Sequence, residues 1–220
     1  MIGDLRCMKT SNRMSNGDSR EMNIEMATSE KDMSAMRRIR QQVFEYEMGL
    51  TLPALNAPEC VAAAHVIARA ELTGEPVAAL TVVDTTNEVD LFEPYGLCLR
   101  PDARTARYMQ LAVIKPYRGM NLPLRLILKA HFHFVAPGGF THTWLLFDAK
   151  RAANSSLCAR LGFSASERVF HSQFGVNRLL VRDERSAFCE QAIRRTQQYL
   201  AAVARKNGRS SHFSPQFSHA

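Results

Sequence analysis

Apolar residues recur at three- and four-residue steps in the first helical stretch of the chain. Thr28 and Ser29 are N-cap candidates, acidic side chains fill the next turn, and Gly49 is placed to end the helix. Three later stretches also predict helices, from about Leu122 to Val135, Lys150 to Leu161 and Glu184 to Arg205. The pattern therefore predicts four helices.

Short apolar runs between these helices predict strands. They lie near residues 62–70, 77–84, 107–114, 142–147, 164–171 and 176–182. Hairpin connections and a strand–helix–strand crossover occur in the same chain, so we expect a mixed sheet with helices on both faces. Residues 1–27 and 207–220 lack any period and predict a disordered leader and tail. Residues 28–206 then form a single folded domain.

Composition narrows the class of protein. Hydrophobic residues make up 46% of the chain and charged residues 22%, which is typical of a globular protein, and no window predicts a transmembrane segment or a signal peptide. The five cysteines form no CxxC pair, so we expect reduced thiols, no structural metal and a cytoplasmic location. His131 and His133 also disfavour a metal site, because they point about 200° apart on a helix.

The net charge of +7 favours an acidic or phosphorylated partner. The basic residues are scattered along the chain, with small clusters at 37–40 and 194–195, and this distribution disfavours nucleic acid. A small-molecule substrate is expected instead, with an acidic protein as a further partner class.

Residues 115–123 connect a predicted buried strand to a predicted amphipathic helix. Unpaired N–H groups at a helix start attract phosphate, and Lys115 and Arg118 place full positive charge beside them. The alternative is an ordinary strand-to-helix loop with a surface arginine. Spacing alone does not decide between the two.

The run QLAVIKPYRGMNLPLRLIL, residues 110–128, resembles the signature segment of the GNAT superfamily of acyltransferases. In that family a strand reading LAV and a turn of type PxYRGxGxG lead into the helix that holds a pantetheine-linked acyl donor. The resemblance implies an α/β (α+β) fold with a mixed sheet of about six to seven strands and helices on both faces. It implies donor binding by Leu111, Ala112, Val113, Arg118, Gly119, Met120, Asn121 and Leu122.

Two positions of this turn depart from the family pattern. Asn121 and Pro123 stand where the family usually has Gly and Gly or Ala. Proline fits the first helical turn but has no N–H to offer a phosphate. The turn therefore offers fewer N–H groups to an anion than is usual in the family. Coenzyme A carries a pyrophosphate and a 3′-phosphate, so it depends more on these N–H groups than a donor with a single phosphodiester does.

Flanking segments carry the resemblance over roughly residues 33–181. The run RQQVFEYEMG, residues 40–49, is similar to the start of several GNAT branches, among them the N-acyl amino acid synthases and, more loosely, the acyl-homoserine lactone synthases. The run HSQFGVNRLLV, residues 171–181, looks like the end of the synthase branch. The chain is therefore most similar to the N-acyl amino acid synthases, which implies a long acyl chain and an amino acid acceptor.

Three side chains are catalytic candidates for attack of an amine on a thioester. Glu47 is the candidate base, with a solvated helix-face carboxylate as the alternative. Gln110 stands where many relatives have Glu, and it can orient water or substrate but cannot accept a proton as a base does. Cys158, in a second matching segment that ends in LGF, occupies the usual place of a proton-donating tyrosine, with a small buried thiol as the alternative. Backbone N–H groups of residues 111–113 are the expected oxyanion donors.

These observations lead to three hypotheses. The first is an N-acyltransferase that moves an acyl group from a pantetheine thioester, carried by acyl carrier protein or coenzyme A, to an amine. The altered turn and the positive charge favour the carrier protein as donor. The second is a non-catalytic module of the same fold that binds a thioester. The third is a small-molecule N-acetyltransferase that uses acetyl-CoA. None of them requires a metal.

Overall fold

The computed structural model of the protein describes residues 21–50, 63–87, 99–100, 102–148, 152–172 and 175–206. One sheet in this part of the chain contains seven strands: β1 (Met22–Met26), β2 (Ala63–Ala70), β3 (Pro76–Asp84), β4 (Thr105–Val113), β5 (His142–Asp148), β6 (Ser164–Ser172) and β7 (Gly175–Asp183). Their order is β1-β2-β3-β4-β5-β7-β6. Neighbours are antiparallel except β4 and β5, which are parallel, so the predicted mixed sheet is confirmed.

Four α-helices accompany the sheet in the described residues, as the apolar pattern predicts. They are α1 (Glu30–Arg40), α2 (Leu122–Ala130), α3 (Ala152–Arg160) and α4 (Ala187–Lys206). Helix α1 continues as a π-helix, Gln41–Glu47, and α2 continues as a π-helix, His131–Val135. The two predicted long helices therefore exist but change their winding partway.

Strand β1 corrects the predicted leader. Residues 22–26 fall within the stretch 1–27 expected to be disordered, yet all five pair antiparallel with residues 66–70 of β2. The pairing hides Met22, and Arg125 of α2 donates to the Met22 carbonyl at 3.0 Å. Residues 1–20 of the leader and the tail from 207 lie outside the described residues.

Helix α1 begins where its sequence predicts. Ser29 is the N-cap, and its hydroxyl accepts a hydrogen bond from the Asp32 backbone N–H at 3.1 Å. The Asp32 carboxylate accepts in return from the Ser29 backbone N–H, which completes a capping box. These bonds satisfy two amide groups that the first turn would otherwise leave unpaired.

The helices cover both faces of the sheet. Helix α1 packs on β3 and β4, and Arg40 at its end contacts Thr81 of β3. The next residue, Val82, points to the opposite face, where it lies opposite Tyr108 of β4. On that face Arg182 of β7 reaches both the Tyr108 hydroxyl and His131, which follows α2. The face with Thr81 is called the α1 face below.

A buried polar network lies on the other face. Arg182 is fully enclosed and donates to the Glu184 carboxylate at 2.7 Å and to the Leu161 carbonyl at 3.0 Å. Glu184 also lies 3.4 Å from His131 Nδ1. Burial by itself raises the pKa of Glu184, but the bond to His131 and the charge of Arg182 outweigh it and lower that pKa to about 2. The network joins β7 to the end of α2.

Candidate active site

Strands β4 and β5 separate in the middle of the sheet. Their parallel pairing covers only Thr105–Arg107 of β4 and His142–Trp144 of β5. Beyond this point the side chains of residues 109–111 in β4 and 145–148 in β5 are half-buried, although both strands lie inside a seven-stranded sheet. The two strands therefore border a cleft that is open to solvent.

A bulge in β4 marks the start of this separation. Gln110 has a φ of 53°, in the left-handed region that few residues other than glycine adopt. The pairing of β4 with β3 shifts its register at the same place, between Ala79 and Thr81. A bulge bends its strand and increases the local twist, so Gln110 turns β4 away from β5.

Backbone groups of β4 beyond the bulge point into the cleft. Ile114 N–H bonds to the Val77 carbonyl of β3 at 3.1 Å. Successive residues of a strand direct their N–H and C=O groups to opposite edges, so those of Val113 point toward the cleft. By the same alternation Leu111 has this direction as well. These N–H groups are suitably placed to stabilise a developing oxyanion.

Arg118 connects three parts of the site. Its Nε donates to the Val113 carbonyl at 3.0 Å, and a terminal nitrogen donates to the Glu47 carboxylate. The Arg118 side chain remains 47% exposed, so its other N–H groups can reach an external anion. The arginine thus links the cleft edge to the π-helix after α1 and keeps positive charge at the turn.

Two residues of the turn before α2 have left-handed backbone conformations. Gly119 has a φ of 84° and Asn121, the N-cap of α2, has a φ of 56°. Asparagine tolerates this conformation better than most residues, which explains how it stands in a position where the resembled family has glycine. Asn121 makes no side-chain capping bond, so it leaves the first N–H groups of α2 uncovered. Pro123 reduces their number by one.

The structure brings most of the predicted site residues together. Residues 111–113 and the turn 118–122 lie at one end of the cleft, and Glu47 joins them through its ion pair with Arg118. Gln110 lies at the bulge that opens the cleft. The sequence predicts the candidates but contains no clear signal for the bulge, because a glutamine rarely adopts a left-handed backbone.

Cys158 has a different environment from the other candidates. It lies on α3, is 3% exposed, and belongs to the apolar core. Burial raises the pKa of its thiol to about 12. A thiol with so high a pKa transfers a proton poorly to a leaving thiolate, so these features favour the alternative of a buried packing residue.

The sequence analysis does not single out the buried residue Arg40. Arg40 is only 6% exposed, and a terminal nitrogen donates to the Thr81 hydroxyl on the α1 face. His65 Nδ1 lies 2.9 Å from the same hydroxyl. A signal was present, since Arg40 falls between Met36 and Val43 at helical spacing and so occupies a position on the apolar stripe.

A groove of about 440 Å³ lies beside the turn. It runs between the β2–β3 connection, the residues after β4 and the π-helix that follows α1, and it is lined by Gln42, Ala70, Leu72, Thr73, Glu75, Ile114, Pro116 and Tyr117. Leu72 at its edge is 86% exposed. Tyr46, four residues after Gln42, is 76% exposed. The surface beside the turn is therefore partly apolar.

Two further properties concern the described part of the chain. No cluster there of three or more His, Cys, Asp or Glu side chains is placed to hold a metal ion. His131 is buried beside Glu184 while His133 is exposed, as their spacing predicts. Within those same residues, none of the helices combines the length and apolar composition that a membrane crossing needs.

Comparison with known proteins gives matches only at the level of structure. No family model matches the sequence, and no curated protein matches it. An acyl-CoA N-acyltransferase from Pseudomonas aeruginosa matches with a TM-score of 0.57 and 18% identity, over 74% of this chain and 99% of the other. FeeM, an N-acyl amino acid synthase from uncultured soil microbes, matches with a TM-score of 0.57 and 11% identity, over 79% and 99%.

A GNAT-family acetyltransferase from Staphylococcus aureus also matches, with a TM-score of 0.52 and 12% identity over 74% of this chain and 99% of the other. The chain has the GNAT acyltransferase fold. The fold expected from the residues of the turn is therefore confirmed. Identities this low show the fold alone, so an activity can be proposed for this chain only from its own residues.

Proposed function

We propose that the protein is an N-acyltransferase that transfers an acyl group from a pantetheine thioester to an amine. The observation that carries this proposal is the cleft between β4 and β5, which opens at Gln110 and ends at the positively charged turn before α2. A slender pantetheine arm and its thioester fit between two separated strands. The phosphate end fits the uncovered N–H groups of α2 and the exposed part of Arg118.

The reaction needs few groups from the protein. The amine nitrogen attacks the thioester carbonyl carbon, the C–N bond forms, the C–S bond breaks, the amine loses a proton, and the departing thiolate gains one. The N–H groups of Leu111 and Val113 would stabilise the oxyanion that develops in the transition state. Correct placement of the amine next to the thioester provides most of the remaining rate enhancement.

Glu47 and Gln110 are the side chains proposed to handle the amine. Glu47 can accept the amine proton directly or through water, and its ion pair with Arg118 places it beside the donor turn. Gln110 can orient a water or the amine by hydrogen bonds. The buried thiol of Cys158 is not needed in this scheme, because the departing thiolate can take its proton from solvent.

An acyl carrier protein is the donor we favour. Carrier proteins present an acidic surface, and this chain carries a net charge of +7, with exposed basic residues at Lys115 and Arg118. Exposed apolar side chains, Tyr46 and Leu72, lie beside the groove next to the turn. Pro123 removes an N–H that coenzyme A would use, whereas a single phosphodiester requires fewer donors. The resemblance to N-acyl amino acid synthases favours an amino acid as the acceptor.

A non-catalytic thioester-binding module is the second candidate. One observation favours it: Glu47 is already held by Arg118, and Gln110 cannot act as a base. Such a module would bind the donor and release no thiol. An N-acetyltransferase that uses acetyl-CoA would differ from the proposed enzyme in the donor it accepts.

Thiol release from matched donors tests the proposal. The purified protein is incubated with a mixture of amino acids and simple amines, with the same long acyl chain on either carrier protein or coenzyme A, and with acetyl-CoA. We expect thiol release that depends on the amines and is faster from the carrier protein. Equal efficiency with both long-chain donors would contradict the donor assignment, and donor binding without thiol release would establish the binding module instead.

A further inference from the structure

Arg40 is a buried cation, and no anion lies close to it among the described residues. It lies at the end of α1 and is 6% exposed. Its neighbours along the helix, Met36, Ile39 and Val43, belong to the apolar core. Among the described residues, no carboxylate lies within ion-pair distance of its guanidinium. The acids at the start of the helix are engaged elsewhere, since Glu30 binds Arg37 and Asp32 binds Arg69.

The polar groups that do contact Arg40 provide no negative charge. Its terminal nitrogen donates to the Thr81 hydroxyl, and His65 lies on the other side of that hydroxyl. The Nε atom is buried and has no hydrogen-bond partner. Burial, with a contribution from the charge of Arg37, lowers the pKa of Arg40 to about 10, so the group stays charged at neutral pH. A buried charge of this kind is unfavourable until an anion reaches it.

The position of Arg40 relates it to the cleft. Thr81 lies directly opposite Met109 of β4, and Met109 immediately precedes the bulge residue Gln110. Arg107 and Met109 project on the same α1 face and are half-buried, whereas Tyr108 on the other face is buried. The guanidinium therefore lies beside the stretch of β4 that borders the cleft, on the α1 face of the sheet.

Arg40 and Arg118 are different anion sites. Arg118 lies at the turn before α2, where the phosphate of a donor is expected, and it already binds a carboxylate and a carbonyl. Arg40 lies farther back along β4, beside the bulge. A planar two-oxygen anion matches the edge of a guanidinium, because Nε and a terminal nitrogen donate in parallel. Nε of Arg40 has that capacity unused.

We propose that Arg40, oriented by Thr81, binds the carboxylate of the acceptor, so that the acceptor is an amine that also carries a carboxylate. The inference rests on the proposed acyl transfer and adds the residue that selects the acceptor class. With its carboxylate at Arg40, the amine nitrogen of an amino acid would lie toward Gln110 and the thioester. Arg40 is then a specificity-determining residue.

Paired acceptors test this assignment. Acyl transfer is measured with the wild-type protein and a long-chain acyl carrier protein, for a panel of amino acids, their carboxamides and the amines that lack the carboxyl group. The wild type should prefer the acids by at least about tenfold in kcat/KM, as expected for a charge-assisted bond. Arg40→Gln should lose that preference, mainly through a higher KM for the acid, while transfer to the carboxamide changes little. Arg40→Lys should restore part of the preference.

Two controls keep the test decisive. Arg37→Gln changes an exposed arginine on the same helix and should leave the preference unchanged. If Arg40→Gln does not fold, a binding measurement on the wild type replaces the kinetic comparison. The wild type should bind an N-acyl amino acid at least about tenfold more tightly than the corresponding carboxamide. Wild-type transfer that is equally fast to acids and carboxamides would overturn the inference and leave acyl transfer standing. Absence of transfer to any amine would overturn both.

Discussion

Two non-glycine residues of the site adopt left-handed backbone conformations. Gln110 and Asn121 are the non-glycine residues with positive φ in the described chain, and they flank the segment proposed to hold the donor. Gln110 opens the cleft, and Asn121 shapes the turn before α2. Strained conformations of this kind persist only where surrounding structure enforces them, and they are concentrated at functional sites.

The left-handed conformation of Asn121 gives a prediction at the scale of the residue. Asn121→Val should lower the free energy of unfolding by roughly 1–2 kcal/mol, because a β-branched side chain is disfavoured at positive φ. Asn121→Gly should remain within about 0.5 kcal/mol of the wild type. Urea unfolding measures both changes. Equal stability of the valine and glycine variants would show that the turn does not need this conformation.

Helix α1, its π-helical extension and the turn before α2 act together at the scale of elements. The ion pair between Glu47 and Arg118 joins the extension to the turn, and Arg118 also binds the edge of β4. One side chain therefore positions the candidate base, a strand edge and the charge of the donor site. Loss of Arg118 should affect binding more than stability.

Arg118→Met should raise the KM for the acyl donor about tenfold, because it removes a charge-assisted bond to phosphate. The free energy of unfolding should change by less than about 1 kcal/mol, since the ion pair is half-exposed. Steady-state kinetics and urea unfolding measure the two effects. Arg194→Met, which removes an exposed arginine on α4, provides the matched control. An unchanged KM for the donor would argue against the proposed phosphate site.

Local signals in the sequence were sufficient to predict most elements. The capping box at Ser29, the turn chemistry between β2 and β3, and the strand–turn–helix at residues 105–130 are all determined by neighbouring residues. Strand β1 was missed because its five residues show no clear alternation and form a strand only by pairing with β2. The bulge at Gln110 and the burial of Arg40 depend on tertiary contacts, which no local pattern reports.

The whole molecule combines an open cleft between β4 and β5 with a buried polar network on the other face of the sheet. The parallel pairing of β4 with β5 covers only three residues of each strand, while the network of Arg182, Glu184 and His131 holds β7 to the end of α2 on the other face. Breaking a buried ion pair leaves an uncompensated charge and costs more than the pair contributes. The network should therefore determine how the fold responds to acid.

Acid should destabilise the protein in part through Glu184. The folded-state pKa of about 2 lies below the ordinary value of 4.5, so the contribution is complete above pH 4.5 and is lost as the pH falls toward 2. A shift of this size corresponds to roughly 3 kcal/mol. Glu184→Gln should lower the free energy of unfolding by about 3 kcal/mol at neutral pH and flatten its decline between pH 4.5 and 2.

Chemical unfolding across this pH range measures the effect of Glu184. Glu190→Gln serves as the control, because Glu190 is exposed and pairs with Arg194 at the helix surface. This variant should keep the acid dependence of the wild type. An identical pH dependence for Glu184→Gln and the wild type would contradict the role given to the network.

The mass of the acylated product tests the central claim most directly. Cells that express the protein are extracted, and N-acyl amines are identified by mass spectrometry against cells with an empty vector. We expect a new amide whose mass equals a fatty acid plus an amino acid minus water, and its amount should fall in cells expressing Arg118→Met. Folded protein at high level without any new acylated product would contradict the proposed acyl transfer.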